Sequence, residues 1–106
     1  MTTFSSETYI AEIERKPNDI TAFALIWNSA ATISNPETRC YRGGVDVSAT
    51  VLTGSNSSAT NIQTGKVLTI PESYAGSVLV YEFRTDIEGK TLNKWLHITV
   101  SELPRA

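Results

Sequence analysis

Apolar and polar residues alternate with a period of two along much of this chain, which is the pattern of a β-strand that buries one face. The pattern is longest in residues 77–87 and 91–101, and a partly alternating stretch covers residues 20–27. A fourth stretch, residues 45–51, alternates cleanly between apolar and polar positions. The apolar members of these four sets are Phe23, Leu25, Trp27, Val45, Val47, Ala49, Val51, Leu79, Tyr81, Phe83, Ile87, Leu92, Leu96, Ile98 and Val100.

Turn-forming residues separate these stretches and indicate where the strands end. The sharpest signal is the pair Glu88-Gly89, which lies between the two longest alternating runs and predicts a hairpin with a two-residue tip. Shorter strand candidates cover residues 32–34, 38–42, 60–63 and 66–70. No segment is long enough for the helical crossover of a parallel sheet. The chain is therefore predicted to be all-β, an antiparallel β-sandwich of about seven strands.

The first 15 residues differ from the rest. Tyr9, Ile10 and Ile13 share one face of a short helix if these residues are helical, and the same stretch is equally compatible with an extended arm. We therefore expect an N-terminal arm or short helix at residues 1–15 and a β-sandwich domain at residues 16–103. On this division, deletion of residues 1–15 is expected to leave a folded domain that self-associates less.

Composition and charge narrow the classes of function. Valine, isoleucine and threonine, which favour strands, supply 30 of the 106 residues. The net charge is −2 and the basic residues are scattered, which does not favour a nucleic-acid interface. No apolar run predicts a membrane span, and the N-terminus lacks the pattern of a signal peptide.

Few residues offer candidate chemistry. His97 is the only histidine, and its strand context favours a structural role over catalysis. Cys40 is the only cysteine, and a small buried side chain is the simpler interpretation than a reactive thiol between Arg39 and Arg42. Gly89-Lys90-Thr91 lacks the upstream glycine and the following helix of a phosphate-binding loop. The sequence thus predicts no catalytic residue, no cofactor and no metal site.

Four aromatic residues are candidates for a sugar-binding platform, namely Trp27, Tyr41, Tyr74 and Trp95. For the two tryptophans, anchoring of the core is the favoured interpretation. The carboxylates Asp46, Asp86 and Glu88 lie near predicted strand ends, and solvated charges that deter edge pairing explain them more simply than paired acid–base catalysis.

The order of features resembles that of phage and prophage fiber–tail adaptor (neck-region) virion proteins. The resemblance covers roughly residues 16–101. It rests on Lys16-Pro17-Asn18-Asp19, Ile20 to Trp27, Thr32-Ile33-Ser34, Gly54 to Thr60, Tyr74-Ala75-Gly76, Val78 to Asp86, and Glu88-Gly89-Lys90-Thr91 leading into Trp95 to Val100. It implies an immunoglobulin-like sandwich and a family without catalytic residues. The N-terminal extension, Cys40-Tyr41 and Pro71-Glu72-Ser73 depart from the family pattern.

These features lead to the hypothesis of a non-enzymatic virion assembly protein, a tail or neck adaptor that contacts other virion or assembly proteins and is a candidate homo-oligomer. Its expected location is the virion, or the host bacterial cytoplasm during assembly. The candidate contact residues are Tyr9, Ile10, Ile13, Gly54, Asn56 and Asn61. The alternative is a binding module for a cell-surface glycan or protein, with recognition by the loops around residues 43–44 and 54–61.

Overall fold

The computed structural model describes residues 9–27 and 31–102, and of residues 9–11 only the backbone. This part of the chain contains eleven strands, one short α-helix and one 3-10 helix. The strands are β1 Tyr9–Arg15, β2 Ile20–Thr21, β3 Ala24–Ile26, β4 Ser34–Arg42, β5 Val45–Asp46, β6 Leu52–Thr53, β7 Ser57–Ala59, β8 Ile62–Thr64, β9 Val67–Thr69, β10 Val78–Ile87 and β11 Lys90–Val100. The helix α1 is Ser48–Val51, and the 3-10 helix is Glu72–Tyr74.

The first layer is a five-stranded sheet in the order β1-β11-β10-β4-β5. Its centre is the predicted hairpin, in which Ile87 pairs with Lys90 across the two-residue tip. Glu88 and Gly89 both have positive φ angles, 50° and 78°, as a tight hairpin turn requires. The alternation in β10 and β11 is confirmed, because Leu79, Tyr81 and Ile98 are fully buried on the inner face.

The second layer consists of two three-stranded pieces, β2-β9-β6 and β3-β8-β7. The predicted strand at residues 20–27 is interrupted between β2 and β3, yet its inner face is the predicted one: Leu25 and Trp27 are buried, and Phe23 packs against the core. The Gly65 N–H donates to the Phe23 carbonyl at 2.9 Å and links the two pieces. The inner faces of both layers form one core, where Tyr81 contacts the rings of Phe23 and Phe83.

Residues 45–51 do not form the predicted strand, because β5 stops at Asp46 and one helical turn follows. The Ser48 N–H donates to the Asp46 carboxylate at 2.9 Å, and the Cys40 N–H donates to the Ser48 hydroxyl at 2.9 Å. These side-chain bonds compete with a β-ladder. Val47 and Val51 lie four residues apart, so one helical turn also directs both toward the core.

The N-terminal stretch is part of the first layer and is not a helix over residues 9–15. β1 pairs in parallel with β11, with Ile13 opposite Ile98 and Arg15 opposite Val100. The expectation of purely antiparallel pairing is therefore wrong at this edge, where the first and last strands pair without a helical crossover. Ile13 packs against the core. The structured part of the sandwich thus begins by Tyr9 rather than at residue 16, and residues 1–8 lie outside the described residues.

Candidate functional site

The six residues predicted to contact a partner do not form one surface. Asn56 and Asn61 lie at opposite ends of β7 and make internal bonds: Asn56 Oδ1 accepts from the Thr38 hydroxyl at 2.7 Å, and Asn61 Nδ2 donates to the Trp27 carbonyl at 2.9 Å. Gly54 is exposed, with φ at 87°. Tyr9, Ile10 and Ile13 belong to β1 at the edge of the other layer. Their part in binding stays a prediction.

The candidate residues for catalysis or sugar binding do not converge on one site. Trp27 is a core residue, as predicted, and its indole N–H donates to Gln63. Trp95, predicted to anchor the core, is instead half-buried on the outer face, opposite Glu82. Tyr74 lies beside Arg42, whose guanidinium is 4.5 Å from the ring centroid. The four aromatic residues therefore do not form one platform, and only Tyr41 and Trp95 share the outer face of the first layer.

The acidic residues near strand ends do not converge either. Asp46 pairs with Tyr41 at one end of β4, and Asp86 lies opposite Ser34 at the other end. Hydrogen bonds from Ser48 lower the pKa of Asp46, and hydrogen bonds from Asn35 and Thr91 lower the pKa of Asp86. Over residues 9–27 and 31–102, no three His, Cys, Asp or Glu side chains are grouped to hold a metal ion. No described helix is long and apolar enough to cross a membrane.

The densest arrangement of functional groups lies on the outer face of the first layer. Three neighbouring strands present charged and aromatic side chains there, and strand pairing brings them into contact: Arg39 is opposite Glu82, and Glu82 is opposite Trp95. We call this set the Glu82 cluster. Its members are Glu37, Arg39, Tyr41, Glu82, Arg84, Asn93 and Trp95.

Glu82 lies at the centre of this cluster and is only 4% exposed, although it points away from the core. Its carboxylate accepts hydrogen bonds from Asn93 Nδ2 at 2.6 Å and from the Tyr41 hydroxyl at 3.3 Å, and Arg84 Nη2 lies 3.5 Å away. A buried carboxylate needs such partners to offset its lost hydration. The bonds therefore fix the positions of the surrounding side chains before any partner arrives.

The two arginines of the cluster keep unused donors. Glu37 lies between them, 3.8 Å from Arg39 and 3.9 Å from Arg84, which is longer than a hydrogen bond. Arg84 Nε is buried and has no hydrogen-bond partner in the described structure. Contact with Tyr41, followed by the charges of Glu37 and Glu82, raises the pKa of Arg39. The Arg39 and Arg84 side chains are 43% and 33% exposed, so their terminal N–H groups, unlike the buried Arg84 Nε, can donate to an acceptor on another molecule.

Sequence reasoning missed this cluster, although a signal was present. Arg39 and Tyr41, Glu82 and Arg84, and Asn93 and Trp95 each stand two residues apart on one strand, so each pair shares a face. Tryptophan, tyrosine and arginine are the residues most enriched in the energetic centres of protein interfaces. The pairing of three distant segments was needed to bring the pairs together.

Cys40 supports a testable statement about the core. It is fully buried, as predicted, and burial raises the pKa of its thiol to about 12. Since the thiolate is the reactive form, we expect no labelling by an alkylating reagent at pH 8 in the native state and immediate labelling in denaturant. The matched control is Val78→Cys, at a position 50% exposed, where one of two thiols should react. Rapid native labelling of Cys40 would contradict this packing.

Comparisons with known proteins identify the fold. No family model matches the chain, and no curated protein matches it. Among solved structures, the M1 domain from titin has a TM-score of 0.54 at 10% identity and covers 99% of this chain and 100% of its own. A crystal structure of the titin M10–obscurin-like 1 Ig complex gives a TM-score of 0.51 at 17% identity, over 92% of both chains. The chain therefore has an immunoglobulin-like fold.

Proposed function

We propose that this chain is a non-enzymatic assembly module that binds another protein through the Glu82 cluster, and that it serves as a tail or neck adaptor of a phage or prophage particle. Its partners are then other virion or assembly proteins, in the virion or in the bacterial cytoplasm during assembly. The binding role and the phage role are separate parts of this proposal and have separate support.

The binding role is carried by one observation, the preorganised outer face around Glu82. A sheet face with Trp95, Tyr41 and two arginines differs from the enclosed, mostly apolar cleft of a small-molecule site. It suits another protein surface, because aromatic and guanidinium groups supply contact area and directional donors together. Holding Arg84 between Glu37 and Glu82 also lowers the entropy lost on binding. The preferred partner presents a carboxylate that the free guanidinium donors can bind.

The phage role is supported by the sequence resemblance over residues 16–101. An immunoglobulin-like fold agrees with the fold that this resemblance implies. One structural neighbour is itself in a complex with an Ig domain, which supports a protein as the partner. The observation that tests the phage role directly is the neighbourhood of the gene, where portal, head-completion or tail genes are expected.

The binding role is tested by co-expression with the products of those neighbouring genes. We expect one of them to co-purify with the wild-type chain. Trp95→Ala or Arg39→Ala should weaken the complex at least tenfold, which is about 1.4 kcal/mol and within the range for an interface centre. The control is Thr99→Ala, an exposed position on the same face and outside the cluster. Equal binding by all four proteins would remove the cluster as the binding surface.

A glycan array distinguishes the rival function. Reproducible binding of a sugar by the isolated domain, lost in Trp95→Ala, would favour a glycan-binding module and count against the adaptor proposal. Absence of sugar binding together with a co-purifying virion protein is the result we expect.

A further inference from the structure

Among the described residues, the outward strand positions of the second layer carry no charged side chain. Leu25, Gln63 and Leu68 point inward and are buried, so their neighbours along each strand point outward. We call these ten outward strand residues the uncharged face: Ile20, Ala24, Ile26, Thr53, Ser57, Ala59, Ile62, Thr64, Val67 and Thr69. The whole chain is 19% charged, so about two charges are expected among ten positions even without the enrichment of charge at surfaces. The outer face of the first layer, by contrast, carries both charged arginines and charged glutamates.

Three isoleucines are prominent on the uncharged face. Ile20 is 71% exposed, Ile26 is 48% exposed and Ile62 is 41% exposed. Ile26 and Ile62 are opposite each other on β3 and β8, and Ile62 is opposite Ala59 on β7. Ile26, Ile62 and Ala59 therefore form an apolar strip across β3, β8 and β7. Around it the face is made of Ile20 and of threonine, serine, alanine and valine.

We propose that the uncharged face is an interface between two copies of this chain. A partner that placed charged groups here would lose their hydration without gaining an opposite charge. A second copy of the same face avoids that cost. Each threonine or serine hydroxyl both donates and accepts, so a surface of hydroxyl and methyl groups is complementary to itself. A two-fold axis through the face would place the apolar strip of one copy on that of the other.

The size of the face sets the strength of this contact. Three strands about 4.8 Å apart and roughly 20 Å long cover on the order of 300 Å² per copy. A stable dimer commonly buries about 800 Å² per partner, so this contact alone is weak. Weak pairing of this kind becomes effective when other contacts hold the copies near each other. The inference goes beyond the proposed function, because pairing through the second layer leaves the Glu82 cluster on the opposite layer free.

Sedimentation equilibrium of the full chain between about 10 µM and 2 mM tests the proposal. We expect reversible dimerisation with a dissociation constant of about 0.1–1 mM, the range of weak encounters. Ile26→Lys and Ile62→Lys should each weaken dimerisation at least tenfold, because a lysine would meet its symmetry-related copy. The matched control, Val78→Lys, adds the same charge at a position 50% exposed on the first layer and should dimerise like the wild type.

Further outcomes keep the test decisive. If a lysine variant melts early, Ile26→Thr with Ile62→Thr removes the apolar strip without adding charge and should also weaken the dimer. A wild-type chain that stays monomeric at 2 mM overturns the proposal. So does a dimer that persists in both lysine variants, or one that is lost in Val78→Lys. None of these results depends on the Glu82 cluster, so the proposed function stands or fails separately.

Discussion

Replacing Gly65 with alanine is expected to destabilise the domain by about 3 kcal/mol or more, the range for a severe clash in a packed core. Gly65 is buried between the two pieces of the second layer. A methyl group there would overlap the Tyr81 hydroxyl and come within 2.8 Å of the Thr38 methyl. It would also displace the hydrogen bond that the Tyr81 hydroxyl donates to the Lys66 carbonyl at 2.7 Å. Urea unfolding followed by tryptophan fluorescence measures the loss.

Tyr81→Phe provides the matched control, because it removes the hydroxyl and keeps the ring. Alone it should cost about 1–3 kcal/mol, since the Lys66 carbonyl loses its partner. In the double variant the alanine methyl no longer meets the hydroxyl. The double variant should therefore lose less stability than the sum of the two single variants. Strictly additive losses would show that Gly65 does not make room for Tyr81.

Deleting residues 1–15 is expected to lower the free energy of unfolding by several kcal/mol rather than to leave the domain intact. The deletion removes β1, so β11 loses its parallel partner from Trp95 to Val100. It also removes Ile13, which packs against the core. Loss of a core aliphatic side chain commonly costs about 2–5 kcal/mol, and each lost hydrogen bond adds about 1 kcal/mol. Against a typical total of 5–15 kcal/mol, partial or complete unfolding follows.

The control for this deletion removes residues 1–8 alone and keeps Tyr9–Arg15. Thermal melts followed by circular dichroism compare the three chains. We expect the shorter deletion to melt close to the full chain and the longer one to melt far below it, or to show no transition. A chain lacking residues 1–15 that melts like the full chain would mean that β1 is dispensable, as the sequence pattern alone suggested.

The elements that the sequence predicts best are those whose signals lie close together along the chain. β10 and β11 combine long alternation with a two-residue turn, and both signals lie within the 23 residues from Val78 to Val100. Residues 45–51 satisfied two patterns at once, because Val47 and Val51 suit a strand face and also one helical turn. The bonds made by Ser48 decided between them, and those bonds depend on the position of Cys40 in β4.

Tertiary contacts explain the rest of what the pattern missed. Lys94 stands at an inward position of β11 and is only 3% exposed, with its ammonium 5.0 Å from the centre of the Trp27 ring. Burial lowers the pKa of Lys94. Its place in the alternation, between Leu92 and Leu96, agrees with an inward position, but the aromatic ring near it comes from the other layer. The Glu82 cluster and the uncharged face likewise require knowing which strands are neighbours, and one sequence does not supply that information.

The parallel pairing of β1 with β11 also determines how the domain would respond to tension. Tyr9 lies level with Trp95, and Arg15 lies level with Val100, so the start of β1 and the end of β11 lie at opposite ends of the paired region. A pull on both ends would slide one strand along the other. Every hydrogen bond between them would carry part of the load at the same moment, instead of opening one after another. The same register that secures the edge of the sheet would thus make the domain mechanically resistant if it were placed in series within a filament or a tail.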